Sequence, residues 1–574
     1  MRLLILLPVA VAAATLGAQS PRPVATHPQR FTVVEATIRD MQRAMQDRRV
    51  TSRDLVTQYL TRIALYDKHI NAAIAINRHA LNEADARDAE RAQGRVRGPL
   101  HGIPIALKDN IHTTDTRTTG GALAFANFTP PYDATLTKNL RDAGAIIIAK
   151  TVLTELANWV AGPPMVMPGT YSAVGSFGFN PYDPRPDPRD GSNDGRPVLS
   201  TGGSSSGAGT AASFWAANVG TDTSGSIVNP AEFTMLIGIR PTTGRISRYG
   251  IIPISLDQDT AGPMARTVTD AAILLGVLEG AAADPNDPAT AKCSRVPAGD
   301  YTRFLNPGGL KGARIGIPRA FFYERITPPN AKEPRGGLDP AQAKLMADAI
   351  AILQQQGAVI VDPVEVPSIV SNDPEENFLL WPTCSGLDNA KGKDVGCSVV
   401  FKYGMKRDFN KWLASLGAAA PVKTLTELRQ WNVAHQRAGS IKYGQALLDI
   451  SDEMNVEADA ARYRADREKD LRLAGANGID AVMKKYQLDA MLFPGPSSAA
   501  IAAKPGYPTV IVPFGLVPNA PPPPAAPFPE GFAARPAPFG VGFTGLACSE
   551  GRLIELAYAF EQATKRRVPP PSAP

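Results

Sequence analysis

"STGGSSSGAGTAASFWAANVGTDTSGSIVNP", Ser200 to Pro230, contains no lysine, arginine or histidine, and its single acidic residue is Asp222. A run so rich in serine and glycine is either a flexible linker or a place where backbone and hydroxyl groups do chemistry. Gly/Ser linkers stay polar along their length. This one carries Ala211, Ala212, Phe214, Trp215, Ala216 and Ala217, which need something to pack against. The pattern predicts a small-residue helix over 206–218 between two glycine-rich turns. Glycines on both sides allow several backbone N–H groups to converge on one space. Such a nest receives the negative charge that develops on a carbonyl oxygen under nucleophilic attack.

A serine nucleophile needs a base. The chain has six histidines, His27, His69, His79, His101, His112 and His435, and none lies in the run. Ser226 stands in S-G-S-I-V rather than G-x-S-x-G, so the strand–Ser–helix elbow of the α/β-hydrolases is absent. Lys108, at the end of the apolar "GIPIALK", is the better candidate: burial disfavours an ammonium, and a neutral lysine is a general base. His112 reads as a wall residue.

The rest of the 574-residue chain bounds the problem. It is 44% hydrophobic and 20% charged, with a formal net charge of +6, the profile of a folded globular protein. Its basic residues are interspersed, and the densest cluster is Lys565-Arg566-Arg567. Nothing forms a basic stripe interleaved with aromatics, which argues against nucleic acid. "MRLLILLPVAVAAATLGAQS", residues 1–20, has the charged start, apolar centre and small-residue end of a signal peptide. It predicts export to the periplasm or outside, with no stable membrane insertion. Cys293, Cys384, Cys397 and Cys548 show no zinc spacing. Cys384 and Cys397 are close enough for a local disulfide, and buried free thiols are the alternative.

Residues 30–95 read as helices, with Val34, Ile38, Met41 and Met45 in one stripe and a T-x-x-D start at Thr51–Asp54. Buried strands are expected at 102–107, 145–149, 313–317, 358–362, 490–493 and 509–513, and a closing amphipathic helix at 549–564. Strands alternating with helices make this an α/β fold. Residues 180–197 and the proline-rich 518–538 read as loops, the first placed to fold over a site. Residues 375–460 break the rhythm and are read as an inserted helical cap.

"GPLHGIPIALKDNI", "STGGSSSGAG", "GTDTSGSIVNPA", "GIRPTTGRISRYGIIPISLDQDTAGPMARTVTDAA" and "AYAFEQAT" stand in the order in which they occur in the amidase signature family. The resemblance covers about residues 28–568, leaving 569–574 as a proline-rich tail. It implies a large mixed central β-sheet with helices on both faces. It also implies a Ser-cisSer-Lys triad. Lys108 matches the family lysine, Ser204 the bridging serine after a cis Gly203–Ser204 peptide, and Ser226 the nucleophile. The oxyanion donors would be the N–H groups of Thr223, Ser224, Gly225 and Ser226. The twenty-two residues from Ser204 to Ser226 are a shorter interval than the family's usual one, which leaves Ser205 as an alternative bridge. Ser224 stands where many members have glycine. Val228 is shared with peptide-amidase-like members. The implied activity is hydrolysis of carboxylic amides by a monomer or homodimer, on a small-molecule or peptide amide, with no metal or organic cofactor. The alternatives are a catalytically inactive binding homologue and an amidotransferase A-type subunit. Asp222 and Arg266 are expected to be structural.

Overall fold

The computed structural model describes residues 31–192, 194–519 and 526–574; the expected signal peptide and the middle of the proline-rich loop lie outside them. In chain order the strands are β1 (Ala73–Ile76), β2 (Pro104–Lys108), β3 (Ile146–Thr151), β4 (Tyr171–Ser172), β5 (Ser176–Phe177), β6 (Ala217–Asp222), β7 (Ile237–Arg240) and β8 (Thr260–Ala265). They continue with β9 (Arg314–Gly316), β10 (Arg325–Ile326), β11 (Arg335–Gly336), β12 (Val359–Val361), β13 (Ala490–Pro494), β14 (Thr509–Val517) and β15 (Ala537–Thr544). Eleven of them form one sheet in the order β1-β3-β2-β6-β8-β7-β14-β15-β13-β9-β12, and β4–β5 and β10–β11 are separate hairpins. The sheet is mixed: β3, β2 and β6 run parallel, β6 to β13 pair antiparallel, and β13, β9 and β12 are parallel again. Every residue of β2, β3, β6, β7, β8, β13 and β15 is buried. Strands dry on both faces require helices on both faces, and their sequences accordingly read as apolar runs without alternation.

All six expected strands are present. Two readings need correction. Residues 73–76 are not helical: the helix Ser52–Ile70, capped at Thr51 by reciprocal bonds with Asp54, ends at the left-handed Asn71, and "AIAI" pairs antiparallel with β3 as an edge strand. The helix expected over 206–218 is a single turn, Ala208–Ala211. Ser213 turns the chain at φ 54°, and the Trp215 indole lies on Gly209, where a Cβ would come within 2.1 Å of the ring. The chain then enters β6. Packing of one large indole against a glycine outweighs the helical preference of the alanines.

Between β12 and β13 the chain is helical, from Pro367–Val370 to Asp480–Tyr486, and adds no strand to the sheet. Phe401, Phe409, Trp412 and Leu428 from this region join Phe125, Phe128, Trp159, Ile252 and Ile254 in a core separate from that of the sheet. Disulfides join Cys384 to Cys397 and Cys293 to Cys548; the second pairing was not anticipated. Lys565-Arg566-Arg567 has a structural use: Arg567 pairs with Glu35 and Arg566 lies over Phe514. No helix among the described residues is long and apolar enough to cross a membrane.

Candidate active site

β2 and β6 are parallel neighbours, with Leu107 opposite Val219. Their carboxyl ends therefore reach the same edge of the sheet. Lys108 ends β2, and the turn 223–226 follows β6. Ser204 arrives from the glycine turn before β6. Asn180 holds this arrangement together: its side-chain amide donates to the Ser200 carbonyl at 2.8 Å and the Phe233 carbonyl at 2.7 Å. That links the chain before Ser204 to the end of the helix Val228–Phe233 after Ser226.

Lys108 is fully buried. Its Nζ lies 2.9 Å from Ser204 Oγ, 2.8 Å from Thr221 Oγ1 and 3.4 Å from the Thr221 carbonyl. Burial lowers its pKa to about 7, against a smaller upward pull from Asp222 and Asp259. A neutral amine has two N–H bonds and one lone pair. Two hydrogens directed at Thr221 leave the lone pair for the Ser204 hydroxyl. Ser205 is not the serine at the lysine: its Oγ donates to the Thr221 carbonyl at 3.0 Å and accepts from the Thr221 N–H at 3.2 Å.

Ser226 is partly accessible, between buried Gly225 and Ile227. Both flanking N–H groups donate to one carboxylate, Gly225 to Asp222 Oδ1 and Ile227 to Asp222 Oδ2, each at 2.7 Å. Buried Arg240 completes the clamp, donating from Nε to Asp222 Oδ1 at 3.1 Å. Asp222 is thus structural, as expected. Arg266 is structural too, through bonds to the carbonyls of Thr210, Trp215 and Ala36 rather than an ion pair. Gly225 sits at φ 114°, where a Cβ would come 2.8 Å from Asn229 Nδ2, so only glycine fits this turn.

The clamp narrows the expected oxyanion donors. The Gly225 N–H is already engaged by Asp222. Among the described residues, the N–H groups of Thr223, Ser224 and Ser226 have no partner in the fold. The Thr223 hydroxyl donates to Asp259 Oδ1 at 2.5 Å, and Asp259 also accepts from the N–H groups of Ile254 and Ser255. The loop at Ile254 and Ser255 is thereby tied to the turn that carries Ser226.

Gly203 faces Ser226: a Cβ on Gly203 would stand 4.0 Å from Ser226 Cα. The structure brings Lys108 into contact with Ser204 and lays the Ser226 backbone beside Gly203. It records no hydrogen bond between the Ser204 and Ser226 hydroxyls. The Gly203–Ser204 peptide is trans; among the described residues the cis bonds are Pro163–Pro164 and Asp362–Pro363. Gly202 at φ 89° and Gly203 at φ 155° turn the chain there instead. His112 is a wall residue: the Trp412 indole donates to its Nε2 at 3.0 Å, and burial lowers its pKa to about 3. Among the described residues no His/Cys/Asp/Glu cluster has metal-binding geometry.

The 180–197 loop docks on other loops. Arg185 lies over Phe532 and Arg189 over Phe528 of the proline-rich loop, and Tyr443 of the cap donates to Asp194. Sequence reading missed Thr221, Asn180 and Asp259. Thr221 lay within a quoted motif, and β6 placed next to β2 would have pointed to it. Asp259 also lay in a quoted motif, at 238–272, but nothing in the sequence tied it to Ser226, and Asn180 carried no local signal.

The sequence profile of the Amidase family matches residues 54–554. A probable amidase of Arabidopsis thaliana is 32% identical over 549 residues, covering 94% of this chain and 92% of the relative. The A-type subunit of the glutamyl-tRNA(Gln) amidotransferase from Moorella thermoacetica is 30% identical over 545 residues, covering 92% and 96%. Among solved structures, the native peptide amidase of Stenotrophomonas maltophilia superposes with a TM-score of 0.76 at 36% identity, covering 93% of this chain and 98% of that one.

Proposed function

Because this chain belongs to the amidase family, an amide-hydrolysing group, we propose that it cleaves the C–N bond through an acyl-enzyme on Ser226, with Ser204 and neutral Lys108 as proton relay and base. The observation that carries this is the buried Lys108 amine, 2.9 Å from Ser204 Oγ and directed by Thr221. Ser226 Oγ attacks the carbonyl carbon. Its proton passes to Ser204 as Ser204 gives its own to Lys108. The oxyanion is received by the free N–H groups of Thr223, Ser224 and Ser226, with Gly225 shaping the turn. The ammonium of Lys108 then returns a proton through Ser204 to the departing nitrogen, without which an amine is a very poor leaving group. Water then attacks the acyl carbon, its proton passing through Ser204 to Lys108, and the same proton returns through Ser204 to Ser226 Oγ as the acyl–oxygen bond breaks and the acid is released.

The substrate class we favour is a peptide amide, with attack on a C-terminal carboxamide. The likeness to a peptide amidase supports it. We also propose export to an oxidising compartment, a reading supported by residues 1–20 and by the pairing of all four cysteines. Export would separate the chain from the partners an amidotransferase A-type subunit requires.

The test is intact-mass spectrometry after treatment with a fluorophosphonate, on wild type and Ser226→Ala, followed by an amide panel on the chain purified alone. One adduct on wild type, absent from the variant, together with partner-free amide turnover, supports the reading. Binding of amides without turnover would favour the inactive homologue.

A further inference from the structure

A second recess opens on the flank of the nucleophile turn, with a volume of about 480 Å³. Its near wall is Ser224 and Asn229, and its far wall includes Phe321, Phe322, Leu338, Pro496 and Phe539. Gln342 and Ser497 also line it, and among the described residues its only ionisable side chain is Glu232, which is 6% exposed. The carboxyl has been given a seat. Gly540 N–H donates to Oε1 at 3.2 Å, and Gly495, at φ 49°, leaves the space in which a Cβ would meet Oε1 at 2.2 Å. No cation among the described residues pairs with it. The helix bearing Glu232 packs on β7, β14 and β15. Their one charged residue, Arg240, is turned to Asp222. Arg325 and Arg335 of the β10–β11 hairpin are exposed and do not line the recess.

A buried carboxyl without a cation, in an apolar recess beside a reaction centre, calls for a ligand with an apolar stem and a cationic tip. Glu232 follows Ser226 by six residues, and the recess it lines extends to Ser224 and Asn229, on either side of that serine in the chain. That recess is within reach of a lysine-length side chain on the residue next to the scissile amide. We propose that Glu232 is a specificity-determining residue that binds the alkylammonium or guanidinium group of a basic amide substrate. The inference rests on the amidase reading for its substrate and on the recess for its chemistry. Burial holds the Glu232 carboxyl up at about 8, so cation binding must first deprotonate it. Preference for a basic substrate should therefore rise with pH through about 8 and level off above.

The test compares N-acetyl-lysine amide with N-acetyl-norleucine amide, which keeps the stem and lacks the ammonium. In wild type the ratio of kcat/KM, lysine over norleucine, is expected to be tenfold or more at pH 8.5 and to shrink several-fold by pH 6.5. In Glu232→Gln, which retains an acceptor for Gly540, the ratio should approach one at every pH. A wild-type ratio flat across this range, or a variant ratio equal to the wild-type one, overturns the proposal. Calorimetric titration with n-butylammonium gives a readout without turnover. Binding at pH 8.5 that is lost in Glu232→Gln supports the recess even where neither amide is cleaved, an outcome that would instead strike the amidase reading. No butylammonium binding by wild type overturns the recess.

Discussion

Lys108 is costly to the fold and useful to the chemistry for one reason. Burial holds its pKa near 7, far below that of a solvated lysine. Between pH 7 and roughly 10.4 the unfolded chain binds a proton that the native chain does not. This group's contribution to stability therefore rises with pH across that window and is unfavourable at pH 7. Catalysis needs the same neutral form, so kcat/KM is expected to climb through about pH 7 and level off above it; a flat profile from pH 6 to 9 would exclude a lysine base. Lys108→Met should abolish turnover while its Tm at pH 7 is no lower than that of wild type, because an apolar side chain of similar length removes the desolvation cost. His112 provides the contrast. Its pKa near 3 keeps it neutral at any working pH, and its Nε2 is occupied by Trp412. His112→Ala should keep most of kcat, measured on the best amide of the panel, with a lower Tm from the cavity left behind.

The β6 strand and the turn after it act as one element. Asp222 accepts from the residues on either side of Ser226 and neutralises the buried Arg240. Asp222→Asn leaves a buried guanidinium without its counter-charge, which costs about 3–5 kcal/mol, and gives one of the two N–H groups an amide NH2 as neighbour. Chemical denaturation should show that loss, and kcat should fall with it. Gly225→Ala tests the turn alone. Strain at φ 114° and the contact with Asn229 should displace the oxyanion donors and reduce kcat by about 100-fold, the size of effect seen when one such donor is lost. A Gly225→Ala enzyme with wild-type kcat would show that the turn does not shape the oxyanion site.

The two largest apolar cores among the described residues meet at the site. The sheet core supplies β2 and β6, the helical region contributes Trp412 against His112, and the loop at Ile254 and Ser255, between β7 and β8, seats Asp259. The Cys293–Cys548 disulfide spans 255 residues of sequence and ties the segment after the helix Val268–Glu279 to the start of the closing helix Glu550–Thr564. Closing so long a loop in the unfolded chain is worth about 5–6 kcal/mol on the entropic account. Cys293→Ser is expected to lower Tm by several degrees under oxidising conditions and to leave little difference from wild type under full reduction, as differential scanning calorimetry would show.

The strands at 104–108, 146–151, 314–316, 359–361, 490–494 and 509–517 were legible because strands covered on both faces are continuous apolar runs. The motif around Ser204 and Ser226, and Lys108 at the end of its strand, were legible because the chemistry demands those residue types in a local pattern. The sequence by itself determined the fold class, the family likeness and the candidate triad. What it misjudged was the segment between the two serines, read as a helix because alanines favour one. Only tertiary structure could show the Trp215 indole occupying the space over Gly209 and sending the chain into β6. Tertiary structure alone also decided that Ser204 rather than Ser205 meets Lys108, that Gly225 spends its N–H on Asp222, and that Cys293 pairs with Cys548. It alone placed Glu232 in a recess without a counter-charge. Each of these depends on contacts between residues far apart in the chain or on the direction of a single hydrogen bond. Composition and periodicity, which report one chain segment at a time, carry neither.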